Sequence, residues 1–415
     1  MAEHKPKRTS RMARTIRSLL LMAVLGAGLA LYNLYSNNRE VGLATGPLSP
    51  QQKAFFVEAS ERPDLMIFFK SLTTEQRASM AMNIGRYDDK ELAKLIARLL
   101  ETFDTRARKE LTGSLAKVAK VHPKEVAEQL SVNGSFQQLA IRSALAEAGS
   151  QVFPLVAERL TNVDARPNAI AFLVTSGRGV IPSVLPMLRH KEKDVRLAAA
   201  DTLGKLRAKE AVAELVDLYR KSTADEHFGY LAAIAGIGAP ITEGLLASAL
   251  NDPELPEPQR SQAALGLGRV ASDSAIGELW RYADAENKAL RESSISALQV
   301  AGDRALAIGL GSPLNRIRVA EGIQSPLADR VLLAGLESPG LRMAASQASH
   351  DRTALVDRLT QELKALNPEE AGDLADNLIA ALASTELGKQ RLAALHAPLL
   401  AGMIERRLAL TSLKS

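Results

Sequence analysis

Six histidines, no cysteine and a recurring arginine are the residues from which this chain could build chemistry. His4, His122, His190, His227, His350 and His396 stand apart from one another, so no helical turn presents a metal-ligating pair, and the order His-Glu occurs nowhere. The absence of cysteine excludes thiolate metal sites, disulfides and a cysteine nucleophile. Gly236-Ile237-Gly238 and Gly266-Leu267-Gly268 imitate fragments of phosphate loops. No Gly-Lys-Ser/Thr follows them and no strand pattern precedes them, so these glycines suit close helix packing instead. No metal, cofactor or catalytic group is therefore expected, and the reading is a binding protein, not an enzyme.

The arginines carry more pattern. Arg142, Arg196, Arg260, Arg291, Arg318 and Arg342 fall near the start of successive helical segments. They make either a basic track for an anionic partner or a structural ladder, each stem packing on the next helical pair and each guanidinium bonding an acid or a helix-end carbonyl. Asp194, two residues before Arg196, favours the ladder.

The elements that must position these side chains are helices. Apolar residues recur at spacings of three and four, and Ala, Leu, Glu, Arg and Lys dominate with no strand-like alternation. In Asp194–Arg220, Val195, Ala199, Leu203 and Leu206 line one helical face and Val212, Leu215, Val216 and Tyr219 another, with a turn at 207–210 between them. Neither stripe can be covered within one hairpin, so hairpins must stack. Self-comparison finds the neighbours: Leu145, Leu173, Leu203, Ile234, Leu267 and Leu298 share one register, separated by 28, 30, 31, 33 and 31 residues. Ser49-Pro50, Ser312-Pro313, Ser325-Pro326, Ser338-Pro339 and Asn367-Pro368 read as helix starts, because proline at the first helical position lacks only an N–H that would be unpaired there.

The Asp194-Val195-Arg196 opening, the run Ala198-Ala199-Ala200, Leu203-Gly204 and the apolar second helix resemble the short HEAT-like repeat, of the type found in the phycobilisome-lyase repeat family. The resemblance covers residues 135–300. It implies an all-α, right-handed superhelical solenoid of stacked hairpins, HEAT-like or armadillo-type. Repeats of this kind serve lyases and scaffolds alike, so they do not confer chemistry. A HEAT-like family of iron hydroxylases uses His-Glu pairs as metal ligands, and this chain offers none.

Charge and hydropathy supply an address. Lys5, Lys7, Arg8, Arg11, Arg14 and Arg17 against Glu3 account for the whole formal excess of +5, leaving a neutral body. A nucleic-acid binder needs a basic face on its folded part, so nucleic acid is not an expected partner. Residues 1–18 read as a basic cytosolic tail and 19–35 as one transmembrane signal-anchor helix, with Tyr32 and Tyr35 at the interfacial position. The run length and Leu31-Tyr32 favour this anchor over a cleaved signal ending at the small residues Gly28 and Ala30. The positive-inside rule then sends the rest of the chain across the membrane, into the periplasm of a bacterium.

Residues 36–50 form a polar linker, 51–134 an N-terminal helical cap region, 135–300 the HEAT-like repeats, and 301–415 degenerate repeats with a C-terminal cap. Phe55, Phe56, Phe68 and Phe69 crowd the segment nearest the membrane. Their rings either plug the first open repeat or dock a partner. The expected function is a scaffold or adaptor, anchored in the inner membrane, that binds protein partners in the bacterial envelope. The rival is a lyase-like enzyme or subunit acting on a large prosthetic group or polymer.

Overall fold

The computed structural model describes residues 57–58, 60–61, 69–338, 340–348, 353–365, 379, 382–383, 386–395 and 404–405, and every regular element among them is helical. The basic tail, the anchor segment 19–35, the linker and the helix starts at Ser49-Pro50 and Asn367-Pro368 lie outside these residues. No helix among the described residues is long and apolar enough to cross a membrane. The chain divides into two compact units, residues 1–184 and 185–415.

The first unit holds helices α1 (Thr74–Ile84), α2 (Leu92–Thr102), α3 (Thr105–Val121), α4 (Pro123–Glu128), α5 (Ser135–Ala148), α6 (Phe153–Glu158), α7 (Arg166–Thr175) and α8 (Ile181–Val184). Helix α2 is strongly amphipathic: Lys94, Arg98 and Glu101 lie along one face, and Leu92, Leu95, Ile96, Leu99 and Leu100 are buried as α3 and α5 pack against it. Short turns are fixed by caps. Thr73 and Gln76 form a reciprocal capping box at α1, and Asp104 accepts from the Ala107 N–H at 3.2 Å at α3. Each such cap contributes about 1 kcal/mol.

The second unit repeats one motif. Its helices are α9 (Lys193–Lys205), α10 (Val212–Lys221), α11 (Ala224–Ile237), α12 (Glu243–Asn251), α13 (Glu257–Val270), α14 (Asp273–Ala283), α15 (Lys288–Ala301), α16 (Asp303–Ile308), α17 (Pro313–Glu321) and α18 (Pro326–Glu337). Beyond them, α19 (Arg342–Ala348) packs on α18, and α20 (Thr353–Ala365) packs on α21 (Glu386–Ala393). The odd-numbered helices α9, α11, α13, α15 and α17 pack in series, with the even-numbered helices joining them as hairpins. Ser312 and Ser325 start α17 and α18 as expected, each hydroxyl accepting an amide N–H with proline at the next position.

The shared leucine register is the spine of this packing. Leu203, Ile234, Leu267 and Leu298 are fully buried in the second unit, as are Leu145 and Leu173 in the first. Truncating any one to alanine should cost roughly 2–5 kcal/mol, the transfer term plus the cavity left behind. The neighbouring glycines set how closely the helices approach. A Cβ on Gly204 would stand 2.8 Å from the Ala233 Cα, and one on Gly266 2.8 Å from the Ala235 Cα, while one on Gly268 would run into the Ala297 carbonyl. The glycine pairs that imitate phosphate loops are contact points between helix backbones.

Candidate functional site

Three of the six repeated arginines are carbonyl caps. Arg196 donates to the carbonyls of His190 at 3.0 Å and Lys191 at 2.9 Å; Arg260 donates to Leu250 at 2.9 Å; Arg291 donates to Ala285 at 2.8 Å. Each guanidinium closes the C-terminal end of the helical segment preceding its own, where unpaired carbonyls and the negative end of the helix dipole favour a cation. Two arginines that sequence reasoning passed over do the same in the first unit: Arg108 on Leu100 at 2.9 Å and Arg166 on Leu160 at 2.8 Å. Arg142 is half-buried on α5 and takes part in none of these bonds. Arg318 donates to Glu292 at 2.6 Å, and the Arg342 side chain lies outside the description.

Arg196 also couples adjacent hairpins. Its Nε donates to the Tyr230 hydroxyl at 3.2 Å and its second amino group pairs with Glu226, both on α11. Tyr230 first, then Glu226, hold this guanidinium above its ordinary value. The carboxylate that pairs with Arg196 thus comes from the next hairpin, and Asp194 is an exposed acid in the first turn of α9. Lys193–Asp225 at 2.5 Å and Arg304–Asp273 at 2.8 Å repeat the ionic link between hairpins.

These bonds account for much of the polar chemistry at the seams. A different arrangement faces solvent across α9, α11 and α13. There a groove of about 390 Å³ is lined by Leu197, Asp201 and Lys205 of α9, Arg207 just beyond it, Phe228 and Gly229 of α11, and Arg269 of α13. Asp201 and Lys205 pair with each other at 2.8 Å. Arg269 donates at 3.3 Å to the carbonyls of Ala235 and Leu265, and its stem packs on Gly238. Burial, and then repulsion from Arg207, push the Arg269 guanidinium below its ordinary value. The sequence places residue 207 in the turn after α9 and marks neither arginine as a candidate site residue.

Of the four phenylalanines expected as docking rings, Phe69 is fully buried and belongs to the core of the first unit; Phe55, Phe56 and Phe68 lie outside the described residues. Among the histidines, His190 accepts from the Glu192 N–H at 3.2 Å and His227 lies 5.0 Å from the Tyr219 ring. Among the described residues no group of three His, Asp or Glu side chains is placed to hold a metal ion.

The HEAT repeat family model matches residues 180–206. This span carries α9 with Val195, Arg196 and Leu203, the same residues on which the repeat register rests. No curated protein matches the chain. Among solved structures, human deoxyhypusine hydroxylase in complex with glycerol aligns at 18% identity over 64% of this chain and 98% of its own, with a TM-score of 0.28. An engineered protein aligns at 18% identity over 87% of this chain and 99% of its own, TM-score 0.30. The Pds5–Scc1 complex aligns at 11% identity over 86% of this chain and 63% of its own, TM-score 0.32.

Proposed function

We propose that this chain is a membrane-anchored scaffold of the HEAT-like, short-repeat type, which binds protein partners and helps assemble or organise a complex of the bacterial envelope. It acts by binding and not by catalysis. The observation that carries the reading is the serial array of hairpins with exposed apolar side chains: Phe228, Ile241, Val300, Leu310 and Leu314 stand on or between successive helices of the second unit, Ile241 at 86% exposure. An array that contacts only its neighbours offers a protein partner a long surface with many weak anchor points. The location rests on the sequence: six basic residues precede an apolar run that reaches the length of a membrane span, which puts the N-terminus in the cytosol and the solenoid in the periplasm.

Two measurements test this. A C-terminal reporter that is active only in the periplasm should be active on the full chain; activity of a cytosol-only reporter would overturn the orientation. In-cell crosslinking of the anchored protein should capture an envelope protein reproducibly, whereas a coloured or metal-loaded purified protein with no crosslinked partner would favour the lyase-like rival.

A further inference from the structure

We propose that α3 and α5 of the first unit form the docking site for an amphipathic helix of a partner protein, laid along the crease between them with its acidic edge on α3 and its apolar edge on α5. This deepens the scaffold reading and rests on it, adding an anchor point to those of the second unit.

The first argument is register. Asp104 is the N-cap of α3 and Gly134 that of α5. Arg106 and Phe136 are therefore each the second residue of their helix, and Lys109 and Leu139 each the fifth. The fourth residues confirm the match: Arg108 donates to the Leu100 carbonyl at 2.9 Å and Gln138 to that of Val132 at 3.1 Å, each closing the preceding helical segment. Helix α3 packs directly on α5, so a pair of cations lies beside a pair of apolar side chains. Phe136 is 59% exposed and Leu139 61%, far from the burial their size favours.

The second argument is charge. Arg106 and Lys109 are exposed, and among the described residues neither has an ion-pair partner. Asp104 is engaged elsewhere, accepting from the Ala107 N–H and standing 4.0 Å from Arg77. At the same two positions α9, α11, α13 and α15 carry no cation. Cations so close to the start of α3 stand at the positive end of its dipole, against the local preference, and the combined field favours an acidic partner.

The third argument selects a helix as the occupant. The Arg108 guanidinium lies 4.3 Å from the centre of the Phe136 ring while its N–H groups bond the Leu100 and Glu101 carbonyls. The ring is thus held in place on one side and left open on the other. Packed helices run about 8–10 Å apart and a helix is about 10–12 Å across, so one partner helix reaches both pairs. Its side chains three and four residues apart match the spacing of Arg106 to Lys109 and of Phe136 to Leu139. A bilayer surface has no such separate edges.

The test is binding to the full-length chain in mild detergent, read by fluorescence anisotropy of a labelled helical peptide with Leu along one edge and Glu along the next. Two companion peptides carry Lys for Glu, or Ser for Leu. The Glu-Leu peptide should bind at least tenfold more tightly than either companion. Arg106→Gln combined with Lys109→Gln should weaken it about tenfold and flatten its salt dependence, and Leu139→Ser should weaken it similarly. These side chains are exposed, so the melting temperatures should match that of the unaltered chain. Lys288→Gln, in the second unit, should leave binding unchanged. Equal binding of the three peptides, no binding of any, full binding by either variant of the site, or displacement by phosphatidylglycerol added to the micelles, which would mark a lipid surface, would each overturn the proposal. The scaffold reading would survive any of these results if crosslinking still captures an envelope partner in cells.

Discussion

Within each of the two units, successive hairpins are linked by polar side chains, and the mix of those links differs. In the first unit the links between successive hairpins include neutral amides: Gln137 donates to the Ala97 carbonyl at 2.6 Å and Asn168 to the Leu130 carbonyl at 2.8 Å, both side chains buried. The second unit keeps one such amide, Asn315 on the Ala283 carbonyl at 2.7 Å, and adds ionic, more exposed links: Lys193–Asp225, Arg196–Glu226, Arg304–Asp273 and Arg318–Glu292. The helix approach differs as well. Gly204, Gly266 and Gly268 set backbone contact in the second unit, whereas Gly113 on α3 has open space and α3 and α5 bury alanines, among them Ala116, Ala119, Ala140 and Ala144. One repeat plan therefore tolerates two kinds of seam, and the seams should respond differently to substitution, pH and salt.

The largest effect should come from closing the backbone contact. Gly268→Val drives a side chain into the Ala297 carbonyl and should destabilise the second unit by about 3 kcal/mol, at the upper end of overpacking costs. Hydrogen exchange resolved by peptide should show lost protection around 257–301 with the first unit unchanged. Equal loss in both units would mean that they unfold as one.

Next in size is a neutral link. Asn168→Ala leaves the Leu130 carbonyl buried without that donor, and should cost roughly 1–3 kcal/mol. The cost should stay the same at low and high salt, which denaturant titration at two salt concentrations would check.

The ionic seam should respond to acid. Lys193, and then Thr223, hold the Asp225 carboxylate at about 2 against an ordinary value of 3.8, and Arg318 lowers Glu292 from 4.5. A carboxylate depressed in the folded state contributes stability that is fully present above its unfolded value and is lost as pH falls through the folded one. Protection in the second unit should therefore decline from just above pH 4 down to about 2, and Asp225→Asn with Glu292→Gln should flatten that decline. Because Lys193 and Asp225 are exposed, the effect per pair is small and should fade at high salt.

The smallest expected change is a gain. Gly277 lies on α14 with open space where a Cβ would stand, so Gly277→Ala should stabilise the second unit by about 0.5–1 kcal/mol. Set beside Gly268→Val, it would show that the glycines of this unit matter by position and not by composition.

How far the sequence reveals this molecule depends on the reach of each interaction. Leu203 and its register mates are legible because burial follows a helical period and the period repeats. The Gly-x-Gly segments are legible as packing for the same reason, and Ser312-Pro313 as a cap because its partners are local. The partner of Arg196 is not legible: Asp194 is two residues away, but Glu226 is one hairpin away and on the facing helix. Arg108 and Arg166 cap carbonyls without the Asp-Val-Arg opening, so a motif search passes them by. The candidate groove was hidden as well, since Arg207 and Arg269 are 62 residues apart in the chain. The available signal was that 62 is two repeat lengths, which places them near one face.

Whether the array holds a protein partner in the envelope is decided by in-cell crosslinking of the full-length anchored chain, followed by membrane purification and mass spectrometry. One reproducible envelope partner, crosslinked to the exposed faces of the second unit, is the expected result. Recovery of nothing above background, together with a bound metal or chromophore in the purified protein, would contradict it.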